Sequence, residues 1–411
     1  MTAATPSVED AGSFRDDVKV ISLIGVAHFF SHFYILLLPP LFPILKDAFD
    51  VSYVQLGLFM TVFSAATGIS QIPFGYLVDR VGAKWILIAG LALHGLAFVL
   101  IGLTGSYWAV VGLMVVAGIA NGVYHPADYA ILSASVSEKR IGRAFSLHTF
   151  TGFAGFAAVP LVIVWLAEAF GWRTGVMLCG AAGMLAAVAL IVFGRSLKHT
   201  PGADKRIKPG KAAGAGAGGG SIMLNPAILM CLVFFLLLAL GNGGLNNFLV
   251  TALNSLHGTP LEAANLALAV YLGCSSLGIL LGGVIADRTS HHNRVAATCF
   301  LLTAAATLVI GTVALPVWGL IALVTVQGLT HGIILPSRDM IVRSVTPPGS
   351  MGKVFGFVST GFSLGGTFAP LLFGYLMDQG APILVFYVVA GIMLVSLVTV
   401  FSVGGKKTAV A

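Results

Sequence analysis

Long apolar runs cut by short clusters of charge, proline and glycine make up most of the chain. A helix needs about 20 mostly apolar residues to cross a bilayer. Divided at its polar clusters, the chain gives twelve such stretches. The first six centre on residues 20–43, 54–77, 84–103, 107–131, 143–167 and 174–194. The second six centre on 223–250, 262–285, 293–313, 316–338, 352–376 and 382–403. The pattern predicts an all-α membrane protein of twelve transmembrane helices in two six-helix halves, 1–194 and 223–411. Residues 195–222 hold Lys198, Lys205, Arg206, Lys208 and Lys211, followed by AAGAGAGGGS. They read as a flexible, solvated linker.

Composition agrees. Hydrophobic residues are 57% of the 411, and charged residues only 9%, against about 25% in a soluble domain. A soluble enzyme and a disordered chain are both excluded. The net charge of +7 makes no basic face, so nucleic acid is not expected as a partner; the bilayer is. With the N-terminus inside, 20 of the 22 Lys and Arg fall in cytoplasmic segments, and only Lys46 and Arg173 fall outside. The positive-inside rule then puts both termini and the linker in the cytoplasm, around a multi-pass inner-membrane protein. Residues 1–17 are acidic rather than basic, unlike a signal peptide, so the first apolar helix is expected to be retained. Cys179, Cys231, Cys274 and Cys299 stand singly in apolar surroundings, with no metal-ligand spacing. No cofactor or metal is expected.

The chain repeats itself. Residues 118–161 lie on 328–371 without a gap, at an offset of 210. Gly118 meets Gly328, Gly122 meets Gly332, Pro126 meets Pro336, Gly155 meets Gly365 and Pro160 meets Pro370. Gly75-x-x-x-Asp79-Arg80 meets Gly283-x-x-x-Asp287-Arg288 at an offset of 208. Two halves in one membrane orientation imply a transporter with its site at the midplane between them.

The segment Gly75-Tyr76-Leu77-Val78-Asp79-Arg80-Val81-Gly82-Ala83-Lys84 resembles the signature loop of the major facilitator superfamily. It lies between the second and third spans, and its degenerate copy at Asp287 and Arg288 follows the eighth, as in that family. Gly75 and Gly82 allow close helix approach and a tight turn. Asp79 can pair with a neighbouring helix N-terminus or a basic residue, a contact that would hold the cytoplasmic side closed and break when the halves rock. Ala27-His28-Phe29-Phe30-Ser31-His32 in span one, Val123-Tyr124-His125-Pro126 in span four, and a glycine-rich span five ending at Pro160-Leu161 resemble the fosmidomycin-resistance branch. Where that branch usually carries Asn-Asp, this chain has Ser31-His32. Span four lacks the arginine of the drug/proton antiporter signature.

Ionisable and amide side chains inside spans are costly and default to function. His28 and His32 share a helical face and suit proton carriage or anion binding. Asn121 and His125 share a face of span four, with Asp128 three residues on. Asp128 pairs either with a histidine or with Arg338, its partner in the repeat. Span ten brings Gln327, His331 and Arg338. Span seven brings Asn242 and Asn246 among Gly241, Gly243 and Gly244, a composition that suits either a flexing break with substrate hydrogen bonding or close helix packing with the amides as interhelical glue. His148 and Tyr271 are weaker candidates, and Tyr34 and Tyr124 are candidates for an aromatic wall. Histidines and amides without an obvious midplane acid favour a small anion over a cation.

The leading expectation is a proton-linked secondary transporter of a small, anionic organic solute, exporting a toxic compound, with uptake of an organic anion as the alternative. No Gly-x-x-x-x-Gly-Lys-Ser/Thr loop provides for ATP. An intramembrane enzyme or a transporter-like sensor are the readings from other classes, and no H-E-x-x-H or G-x-S-x-G motif supports the enzyme. Each chain holds both halves, so a monomer is expected to suffice.

Overall fold

The computed structural model describes residues 14–137, 140–197, 223–347 and 351–404. The expected linker lies almost wholly outside the described residues. The first half comprises α1 (Phe14–Ile35), α2 (Phe42–Phe49), α3 (Tyr53–Val81), α4 (Ala83–Leu103), α5 (Tyr107–Asn121), α6 (Tyr124–Ser135), α7 (Ile141–Phe170) and α8 (Trp172–Phe193). The second comprises α9 (Pro226–His257), α10 (Leu261–Arg288), α11 (His292–Thr312), α12 (Val317–Val345), α13 (Met351–Asp378) and α14 (Ile383–Gly404). Together they make twelve membrane spans, with α1 and α2 sharing one and α5 and α6 another. No strand occurs among the described residues.

Three local departures from the hydropathy pattern have physical causes. Span one does not run on to residue 43. Its apolar sequence continues, but Pro39 and Pro40 lack N–H donors, so α1 stops at Ile35 and a short 3-10 turn, Pro39–Leu41, leads into α2. Span four is two helices. The Gly122 N–H turns back to the Gly118 and Ile119 carbonyls, and α6 restarts at Tyr124 with Pro126 in its first turn, where proline costs least. Span seven, by contrast, is unbroken. Gly243 and Gly244 of α9 serve close packing instead, since a Cβ there would collide with Ala369 and with the Phe373 ring of α13.

The repeat is visible in the packing. Gly118 of α5 lies against the Phe63 carbonyl of α3, and Gly328 of α12 against the Tyr271 carbonyl of α10. Gly122 meets Thr67 as Gly332 meets Ser275. Both contacts join residues related by the offsets of 208 and 210.

Between the halves, α3 packs along α13 and α7 along α10. The halves are shut at the end where α3 begins. Asp378 accepts bonds from the Tyr53 and Val54 N–H groups at 2.7 and 2.9 Å, and the Thr61 hydroxyl donates to the Thr367 carbonyl at 2.8 Å. Gly57 rests on the Pro370 carbonyl and Gly374 on the Tyr53 carbonyl. Along the same α3–α13 seam the contact then loosens: a Cβ on Gly68 would reach Ser363 at 3.8 Å, and beyond it added Cβ atoms at Gly75 and Gly356 would meet nothing within 4 Å.

Candidate functional site

Where the halves part, they enclose a cavity of about 420 Å³. Its polar wall comes from both sides: Ser64, Thr67, Gln71, Asn121 and His125 from the first half, Asn242, Asn246, Asn247 and Ser363 from the second. Met60, Phe63, Phe156 and Phe362 supply an apolar remainder. Among the described residues lining it there is no carboxylate. Asn121 is held by the Ser31 hydroxyl, which donates to its Oδ1 at 2.9 Å, and its Nδ2 lies 3.4 Å from Thr67 Oγ1. Ser31, at the position where the resembling branch carries Asn, thus fixes a cavity amide. Asn246 Oδ1 is buried without a partner, and Asn242 Oδ1 accepts from Tyr271 at 3.2 Å.

Behind His125 lies a dense ionisable cluster. Asp128 Oδ2 stands 3.1 Å from His148 Nε2 and 3.3 Å from His28 Nδ1. All three side chains are essentially buried. The His28 and His148 rings stack at 3.5 Å, and His32 and His125 approach His28 at 4.5 and 5.3 Å. Glycine makes the space: a Cβ on Gly152 would sit 2.7 Å from His32 Nδ1 and 2.8 Å from the His28 ring. Of the four imidazoles, His28 and His148 stand against the one carboxylate and can share a proton with it, while His32 Nδ1 and His125 Nδ1 are buried without a hydrogen-bond partner. The ligand atoms of His28, Asp128 and His148 lie within 4.8 Å of one another. That spacing also suits a divalent cation; Asp128 Oδ2 is hydrogen-bonded to His148, and its Oδ1 is buried without a partner.

Of the two partners expected for Asp128, it has histidine. Arg338 does not reach it; its guanidinium bonds Asp339 at 2.7 Å and lies over the Phe235 and Phe362 rings at 4.5 and 5.1 Å. Gln327 does not line the cavity, since it is fully buried and donates to Thr307 of α11 at 2.7 Å. His331 is buried too, 3.0 Å from the Ser275 hydroxyl. His148, a weak candidate from sequence, sits at the centre of the cluster. Tyr34 and Tyr124 are buried packing residues, Tyr34 bonding the Cys179 carbonyl and Tyr124 lying 3.3 Å from His94 Nδ1.

In the signature loop, Gly82 takes φ 102°, which admits the sharp turn from α3 to α4. Asp79, Arg80 and Arg288 are exposed, and Lys84 lies 5.2 Å from the Trp85 ring. Among the described residues Asp79 has no partner, so its expected closing contact is not made while this end is open. The Asp287 side chain lies outside what the structure describes.

Two six-helix halves around a midplane cavity, shut at one end and open at the other, define a transporter. The family model described as Major Facilitator Superfamily matches residues 24–264 and 232–409, and the chain belongs to that superfamily. It is 24% identical over 394 residues to the fosmidomycin resistance protein of Escherichia coli strain K12, covering 94% of this chain and 93% of that one. It is 25% identical over 376 residues to the probable sulfoacetate transporter SauU of Cupriavidus necator, covering 86% and 85%. A solved bacterial homolog of the human lysosomal transporter Spinster, inward-facing and occupied, superposes with a TM-score of 0.80 at 14% identity, covering 96% and 98% of the two chains. The proteins named here are transport or resistance proteins, not enzymes.

Proposed function

We propose that this protein is a proton-coupled secondary transporter of the cytoplasmic membrane. It moves a small organic anion by alternating access and expels a toxic compound. The observation that carries this is the His28–Asp128–His148 cluster buried directly behind His125, which itself lines the cavity. Protons held there change the charge behind the cavity wall without leaving a bare ion in the membrane. His32, Asn121, Asn242 and Asn246 complete the binding and coupling set, with Arg338 on the opposing half. Amide donors and an imidazole, with no lining carboxylate, suit an anion. The distribution of Lys and Arg sets the open end in the cytoplasm, so the described conformation is inward-open. Gly75, Asp79, Arg80, Gly82, Lys84, Asp287 and Arg288 form the cytoplasmic gate that closes when the halves rock. One chain suffices.

Export is favoured by the likeness to a resistance protein across nearly the whole chain. Uptake of an organic anion is the second reading, favoured by the likeness to a probable sulfoacetate transporter.

The test is flux in proteoliposomes under an imposed pH gradient, with EDTA present to remove trace divalent cations. Compounds are chosen beforehand by thermal stabilisation at pH 5.5 and 7.5 from a panel of carboxylates, phosphonates, sulfonates, sugars and cationic drugs. Anions are expected to stabilise the protein to a degree that depends on pH, weaker at the lower pH for exchange with protons and stronger for co-transport, and to move uphill when a proton gradient is imposed. Stabilisation by cations or sugars instead, or anion flux indifferent to the gradient, overturns the reading.

A further inference from the structure

The internal repeat relates the proton cluster to a second cluster of opposite charge. On α7, Gly155 rests on the Phe29 carbonyl and Phe33 nitrogen of α1; on α13, Gly365 rests on the Leu236 carbonyl and Leu240 nitrogen of α9. Thr151 meets Gly25 as Gly361 meets Leu232. These contacts set the α1-to-α9 offset at 207, beside 210 for the later helices. His28 therefore corresponds to Phe235, Asp128 to Arg338, and Gly152 to Phe362. The second half has built a cluster at the same place, but around a cation. The Arg338 guanidinium lies 4.5 Å from the Phe235 ring and 5.1 Å from the Phe362 ring, which are themselves 5.1 Å apart.

The chemistry of the two clusters differs in kind. Imidazoles around a carboxylate hold protons that come and go. Phenyl faces around a guanidinium hold a charge that never leaves. Phe362 is part of the cavity wall; Arg338 lies over its ring, is not itself among the lining residues, and keeps 13% side-chain exposure. Among the described residues its carboxylate partner is Asp339, its chain neighbour, which is 47% exposed. Asp339 Oδ1 receives both Nε and Nη2 of Arg338, at 2.8 and 2.7 Å. A planar donor edge already gripping one oxyanion in this way can be claimed by another.

We propose that the two halves divide the work: the first binds the coupling proton at Asp128 and its histidines, and the second binds the oxyanion group of the substrate at Arg338. This rests on the anion-transport reading above and assigns its anion-binding residue. The substrate class it implies is a small carboxylate, sulfonate or phosphonate, with its oxyanion oxygens against Arg338 in exchange for Asp339 and the remainder among the cavity amides. The titratable groups facing Asp128 are His28 and His32 from α1, His125, Tyr124 and Tyr129 from α6, and His148 from α7, with His94 of α4 reached through Tyr124. Among the described residues none belongs to the second half.

The experiment is thermal stabilisation of the purified full chain by sulfoacetate and by methylphosphonate at pH 5.5 and 7.5, in wild type, Arg338→Gln, Arg338→Lys and Asp128→Asn. Arg338→Gln should weaken binding of the effective anion about tenfold or more, the loss of a charge-assisted bond, while keeping the wild-type pH dependence of melting without ligand. That pH dependence also reports that the variant is folded. Arg338→Lys should recover part of the affinity. Asp128→Asn should lose the pH dependence and still bind the anion. Anion binding unchanged in Arg338→Gln overturns the division of labour and leaves anion transport standing. Failure of both anions to stabilise wild type overturns both proposals.

Discussion

At the scale of the residue, Asp128 is the costliest side chain in the first half. A fully buried carboxylate survives only with partners, and His28 and His148 provide them at 3.3 and 3.1 Å. Asp128→Asn should abolish uphill transport, with at least a tenfold fall in gradient-driven accumulation, yet leave anion counterflow near wild type. Loss of both activities would mean that the residue serves folding alone. Gly152→Ala places a methyl 2.7 Å from His32 Nδ1. Overpacking of that kind costs about 1–3 kcal/mol, and a lowered melting temperature in detergent would report it. Much of this cluster was legible in the sequence: His28 and His32 by their spacing, Asp128 as the one carboxylate within the apolar part of a first-half span. His148 was underrated because a lone histidine carries little signal. The signal was present in His148, Gly152 and Gly155, spaced four and three apart, which mark the face of α7 pressed on α1. The Arg338–Asp128 pairing failed because repeat-related residues occupy equivalent places in two halves, and equivalence does not bring them together.

At the scale of the element, the helices follow hydropathy until backbone chemistry intervenes. Apolarity could count the spans but not end them. Pro39 and Pro40 end the first helix inside an apolar run, and the Gly122 turn splits the fourth where hydropathy is continuous. The glycines of α9 allowed two readings in sequence, a break or close packing, because whether a glycine bends a helix or admits a neighbour depends on what lies opposite, and here α13 does. Between elements, the Asp378 carboxylate caps the start of α3 from the other half. A negative group at a helix N-terminus is stabilising, and this one holds only while that end is shut. Asp378→Ala should shift the balance toward the form open at that end by about threefold. Distances between spin labels at the start of α3 and the end of α13 would read the shift, and an unchanged distribution would reduce the contact to a local cap.

At the scale of the whole molecule, transport requires the seam between α3 and α13 to open. Thr61→Cys with Thr367→Cys, joined by a short thiol cross-linker, should stop turnover almost completely while leaving ligand binding from the open side intact. Cleavage of a reducible linker should restore flux. Turnover that survives efficient cross-linking would mean that the halves do not rock about this cavity. The sequence already held the architecture at this scale, because a repeat with matched glycines and prolines implies two like bodies. It could not say which end is open, since that depends on the energy difference between two packings of the same surfaces.

At two points of the seam Gly57 lies against the Pro370 carbonyl and Gly374 against the Tyr53 carbonyl. At those two points main chain meets main chain, with no side chain to trim or extend. Evolution can adjust most interfaces by degrees, swapping one aliphatic residue for another. Here the smallest available step, a single methyl group, would wedge the two bodies apart. Drift at these glycines is therefore abrupt rather than graded. Descendants of this protein can retune what they carry far more readily than they can retune how they close.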